Sequence, residues 1–123
     1  VDISITYDDR IDFATSVGFM FKKEIRVGKL YVLLPKNIQQ AILAHELCHC
    51  IEFHLEQRWL CLLCPFLYPM LCRWQELRAD RFASNVGLGA PLLQFFKIAR
   101  RTEKESWFYP SFNERIKNLE QYG

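Results

Sequence analysis

His45-Glu46-Leu47-Cys48-His49 sets two imidazoles four residues apart, with a carboxylate beside the first. On a helix, residues four apart share a face, so both rings can reach one metal ion. Glu46 lies one position round from His45, close enough to take a proton from a water at the metal without ligating the metal itself. Two ring nitrogens for binding and one carboxylate as base make up the chemistry of metal-assisted hydrolysis. The string is short enough to arise by chance, so its weight comes from its surroundings. Between Ala41 and Ile51 the chain is apolar almost all round except at His45, Glu46 and His49. Polar groups on such a helix are costly unless something pairs with them.

A third ligand stands further along, in Gln75-Glu76-Leu77-Arg78-Ala79-Asp80. Two histidines and a glutamate around an open fourth position are the ligand set of catalytic zinc peptidases, so Glu76 is expected as the third ligand and Zn2+ as the ion. Asp80, one helical turn on, is expected to accept a hydrogen bond from the free ring nitrogen of a ligand histidine and so fix its tautomer. The competing reading of Glu76 and Asp80 is a solvated helix face shared with Arg78 and Arg81. A metzincin-type site is disfavoured, because the positions that would carry its glycine and third histidine are Glu52 and Leu55. His54 falls one residue short, on a helix expected to run on unbroken, and is read as a surface histidine.

The cysteines offer a rival metal site. Cys61-Leu62-Leu63-Cys64 has knuckle spacing, and Cys48, Cys50 and Cys72 are available to complete it. The pair lies amid Leu and Phe without the polar turn residues a knuckle uses, and free cysteine packs well in cores, so core packing is the favoured reading and a metal or redox role the alternative. Five cysteines cannot all pair within one chain, and Val1-Asp2-Ile3-Ser4 reads as strand, not as a cleavable signal. Both features suggest a reduced, cytoplasmic setting. The formal charge is +2, and Lys22-Lys23 and Arg100-Arg101 are isolated pairs with no basic stripe, so nucleic acid is not an expected partner.

These residues need a scaffold. A chain of 123 residues with 15% aromatics has room for one domain, taken as 1–123, and enough apolar surface to pack it. Ile3 to Tyr7 alternates like a strand. Lys23 to Leu34 is a second strand candidate, with a bend at Gly28-Lys29 and a stop at Pro35. A helix or turn is expected between them, over Ile11 to Thr15. Asn37 is placed as the cap of a helix from Ile38 to about Arg58. Leu60 to Cys72 carries no charge, but it is short and twice broken by proline, which excludes a transmembrane helix and leaves at most a shallow surface anchor. Further helices are predicted over Gln75 to Val86, from Pro91 to about Lys104, and from the Ser111-Phe112-Asn113-Glu114 capping box to about Gln121.

Leu43 to His49 followed by Glu76-x-x-x-Asp80 resembles the HtpX and CaaX-prenyl endopeptidase group of gluzincins, and is most similar to their soluble minimal relatives, the minigluzincins. The resemblance runs from about Phe13 to Leu119. It implies an α+β, zincin-like minimal catalytic domain: a small N-terminal sheet, the active-site helix and a helical C-terminal part. In that group the strand before the active-site helix forms the upper rim of the cleft. Here that strand would be Glu24 to Leu34, with an extended peptide or unfolded protein substrate lying along it. The group also has a His-Pro-x4-Arg-Ile segment, matched by Tyr109-Pro110 and Arg115-Ile116 with tyrosine in place of histidine. Tyr109 is then the expected oxyanion donor beside Glu46. Membrane members insert transmembrane helices where this chain has its proline-broken run, so the resemblance implies a version that does not require a membrane. The expected function is zinc-dependent endoproteolysis. The segment Thr102 to Phe112, with Glu103, Glu105 and four aromatics, is expected to obstruct the cleft in a latent form. The alternatives are an inactive zinc-stabilised interaction module, which would have no use for a base at Glu46, and a membrane-surface protein.

Overall fold

A computed structural model describes residues 2–100 and 110–122. The N-terminal third forms a three-stranded mixed sheet from β1 (Asp2–Tyr7), β2 (Ala14–Phe19) and β3 (Lys22–Val27). The order is β1-β3-β2, with β1 parallel and β2 antiparallel to β3. Along β3, Lys23, Ile25 and Val27 turn inward while Lys22, Glu24 and Arg26 turn out, the period of two that a half-buried strand requires.

The turn expected over Ile11 to Thr15 is present at residues 9–13, but it ends sooner, because from Ala14 the chain is a strand. The strand expected to reach Leu34 ends at Val27. At Gly28 the backbone of Ile11 passes so close that a Cβ would lie 2.2 Å from its carbonyl oxygen, and the Gly28 N–H donates to Phe13 O. The chain then leaves the sheet through a 3-10 turn at Tyr31–Leu33. With β1 and β2 on either side, β3 is the central strand and has no edge to offer a substrate. Among the described residues, the unpaired edge beside the motif helix belongs to β2.

That helix, α1, spans Lys36–Ile51. Pro35 occupies the cap position and its carbonyl accepts from Ile38 and Gln39; Asn37 lies inside the first turn. The helix does not continue to Arg58. Phe53 takes a left-handed conformation (φ 56°), and a separate helix, α2, runs over His54–Leu60. Such a conformation costs a bulky residue about 1–2 kcal/mol. The buried Lys23 side chain offsets this cost. Its Nζ donates to Cys50 O at the end of α1 (3.1 Å), pairs with Glu56 on α2 (2.8 Å), and sits 4.3 Å from the centre of the Phe53 ring.

The apolar run folds into short 3-10 turns at Cys61–Leu63 and Pro65–Leu67 and into the start of α3 (Tyr68–Asn85), with Pro69 tolerated in the first turn. Among the described residues, no helix is long and apolar enough to cross a membrane. Helices α4 (Gly89–Ala99) and α5 (Phe112–Tyr122) complete the layer, and Ser111 Oγ accepts from the Glu114 N–H (3.1 Å) as the capping box requires. The chain is α+β. Ile25 and Val27 of the sheet, Ile38 and Ala41 of α1, Phe96 of α4 and Leu119 of α5 share one core.

Candidate metal centre

Helix α1 runs beside α3, and the two present His45 and His49 to Glu76. The two Nε2 atoms are 3.1 Å apart. Glu76 Oε2 is 3.0 Å from His45 Nε2, and Oε1 is 3.3 Å from His49 Nε2. An ion held tetrahedrally by bonds of about 2.0–2.1 Å separates its ligands by about 3.3 Å. The three side chains therefore already offer something close to one face of such a tetrahedron, and they are positioned to bind a metal ion.

The surrounding side chains fix the rings. His45 Nδ1 donates to Asp80 Oδ1 (2.7 Å), the contact expected from the one-turn spacing of Glu76 and Asp80. Asp80 is fully buried, and the Arg115 guanidinium donates to both its oxygens at 2.9 Å. Arg115 Nη2 also lies 3.6 Å from Glu76 Oε2, and Arg58 Nη2 donates to Glu76 Oε1 (3.3 Å). Burial opposes the charged forms of these groups, and their mutual pairing overrides it. His45 is pushed up to about 10 in the metal-free protein by hydrogen bonds to Asp80 and Glu76. His45 and His49 hold Glu76 well below the ordinary carboxylate range, and Arg115 lowers Asp80.

Glu46 faces the same space. Its Oε2 accepts a hydrogen bond from Ser16 Oγ on β2, which ties the carboxylate to the sheet. Together these residues border a cavity of about 300 Å³. Its lining combines the polar His45, Glu46, His49 and Glu76 with the apolar Phe13, Ile42, Phe95, Phe96 and Phe112. Residues 13–16 of the β2 side form one wall.

His54 departs furthest from its sequence reading. It is 1% exposed, because the Phe53 turn folds it back against His49, with the two Nδ1 atoms 2.8 Å apart. Burial, then the neighbouring His49, depress His54 to about 4, so it is neutral near pH 7. Cys48, Glu52 and His54 form a second group of ligand-type side chains. Burial and the Glu52 carboxylate push the Cys48 thiol up to about 12. All five cysteines are free. Cys48, Cys50 and Cys72 are core residues, and Cys61 and Cys64 are half-buried without joining a metal-type cluster among the described residues.

Tyr109, Glu103 and Glu105, with Trp107 and Phe108, lie outside the described residues. Of the segment expected to obstruct the cleft, Phe112 is described; its ring lies 5.5 Å from Phe96 at the cavity wall. Helix α5 is itself part of the fold, since it supplies Arg115, Ile116 and Leu119. Sequence reasoning gave no role to Ser16, Arg58 or Lys23. A lone serine on an unrecognised strand carries no signal, whereas Arg115 was noticed only through the family segment. No family model, curated protein or solved structure matches this chain.

Proposed function

We propose that the chain is a zinc-dependent endopeptidase with a zincin-like catalytic domain, acting on extended peptide or unfolded protein segments. The observation that carries this reading is that His45, His49 and Glu76 converge on the same cavity as Glu46, a carboxylate that is not part of the ligand triangle. A purely structural metal site has no use for such a base.

Zinc held by His45, His49 and Glu76 would supply Lewis-acid polarisation of the scissile carbonyl and acidify water beside it. Glu46 takes one proton from the attacking water as the oxygen bonds to the carbonyl carbon. It delivers that proton to the amine nitrogen as the C–N bond breaks, so it ends the cycle ionised. Ser16 holds the carboxylate in place between the two transfers. The free edge of β2 offers backbone groups to an extended chain running beside it, the pairing used in strand addition. The aromatic residues in the cavity lining then favour a large apolar side chain next to the scissile bond.

The test is cleavage of an unfolded protein rich in apolar residues, by zinc-loaded wild type and Glu46→Gln. The variant should bind zinc as the wild type does and lose at least about a hundredfold in rate. Equal rates would remove Glu46 from the chemistry.

A further inference from the structure

We propose that His54 is the positioning partner of His49, and that their shared hydrogen makes the two ligand-type clusters mutually exclusive as metal sites. The inference rests on the metal centre proposed above. His49 Nδ1 and His54 Nδ1 are 2.8 Å apart, so one ring nitrogen donates and the other accepts. If His49 donates, its Nε2 is bare toward His45 and Glu76 and free to ligate. His54 then accepts at Nδ1 and carries its hydrogen on Nε2, which cannot ligate. If His54 donates, the roles invert: its Nε2 is bare toward Cys48 and Glu52, while His49 carries a hydrogen on the nitrogen that should hold the metal. The same hydrogen decides which cluster can be loaded.

Three observations select the first arrangement. Glu52 Oε1 lies 3.3 Å from His54 Nε2, without hydrogen-bond alignment. At that distance a carboxylate attracts an N–H and repels a bare lone pair. Glu52 also accepts from Arg78 at both oxygens (3.2 and 2.8 Å), contacts that a metal ligand would have to surrender. His45 has the matching arrangement, with its Nδ1 on Asp80 and its Nε2 toward Glu76. The fold enforces the contact. The left-handed Phe53 turns the chain back, and Gln75 Nε2 on α3 donates to His54 O (2.9 Å), pinning the first residue of α2.

The direct test is a long-range proton–nitrogen spectrum of the full chain, nitrogen-15 labelled and loaded with zinc. It should show His49 protonated on Nδ1, and His54 protonated on Nε2 with a bare Nδ1. Zinc affinity is then measured by chelator competition on His54→Phe and His54→Gln, each checked for folding. The phenylalanine variant lacks the acceptor and should bind zinc about ten- to a hundredfold more weakly. The glutamine oxygen can accept the same hydrogen and should recover most of that loss, a difference that packing alone would not produce. If either variant fails to fold, the wild-type spectrum decides by itself. His54 protonated on Nδ1 beside bound zinc, or a second zinc of similar affinity that Cys48→Ser removes, would overturn the proposal. A chain that takes up no zinc would overturn the metal centre along with it, so the two failures are distinguishable.

Discussion

Replacing Arg115 with methionine keeps the apolar stem of the side chain against Phe96, whose ring centre is 4.3 Å from the guanidinium, and removes the charge. Asp80 then loses two hydrogen bonds of 2.9 Å and keeps only His45, in a site where it has no exposed surface. Breaking a buried pair from one side costs about 3–5 kcal/mol, and the remaining imidazolium contact puts this case near the lower figure. Against a total of about 5–15 kcal/mol for a domain, such a loss lowers the melting temperature of the metal-free protein by roughly 10–20 °C. Zinc affinity should move the opposite way. Arg115 also lies 3.6 Å from Glu76, so its removal takes a cation away from a ligand carboxylate and leaves Asp80 a stronger acceptor for His45. Zinc should therefore raise the melting temperature of Arg115→Met by more than it raises that of the wild type. Circular-dichroism melts with chelator and with zinc measure both effects. A metal-free loss below about 1 kcal/mol would refute the view that Asp80 depends on Arg115.

The pH dependence follows from His45, raised from 6.5 to about 10 without metal. Its stabilising contribution is fully present below about pH 6.5 and is lost as the pH rises toward about 10, so metal-free melting temperatures should fall across that interval, and zinc-loaded ones should not. Over the same interval apparent zinc affinity should rise about tenfold per pH unit, because binding displaces one proton; a flat titration would contradict this. Ser16→Ala removes the hydroxyl that holds Glu46, and should lower the turnover rate about tenfold while zinc content stays at the wild-type level. A matching loss of zinc would instead assign Ser16 a structural role.

The residues that carry a local period were legible before the fold. His45 and His49 at four-residue spacing on an apolar segment, Glu76 and Asp80 at the same spacing, and the Ser111 box all lie where helical geometry puts them. Apart from the cap at Asn37, which Pro35 takes locally, the misreadings share one cause, a turn or pairing set by distant residues. Nothing near Phe53 marks a helix break, since there is no glycine or proline; the break is held by Lys23, on a strand far away in sequence. That hidden turn is why His54 read as a surface residue. Likewise Ala14 to Phe19 looks unremarkable alone and becomes a strand through its register with β3, which also decides whose edge is free. Ser16 was invisible because its role depends on that strand.

The central claim is that His45, His49 and Glu76 hold the metal and the cysteines do not, and zinc-edge X-ray absorption on the purified, zinc-loaded chain tests it most directly. The account predicts only nitrogen and oxygen neighbours at about 2.0–2.2 Å, including two imidazoles, with Glu76→Ala losing the bound ion. A sulfur neighbour at about 2.3 Å, or zinc retained undiminished in Glu76→Ala, would contradict it.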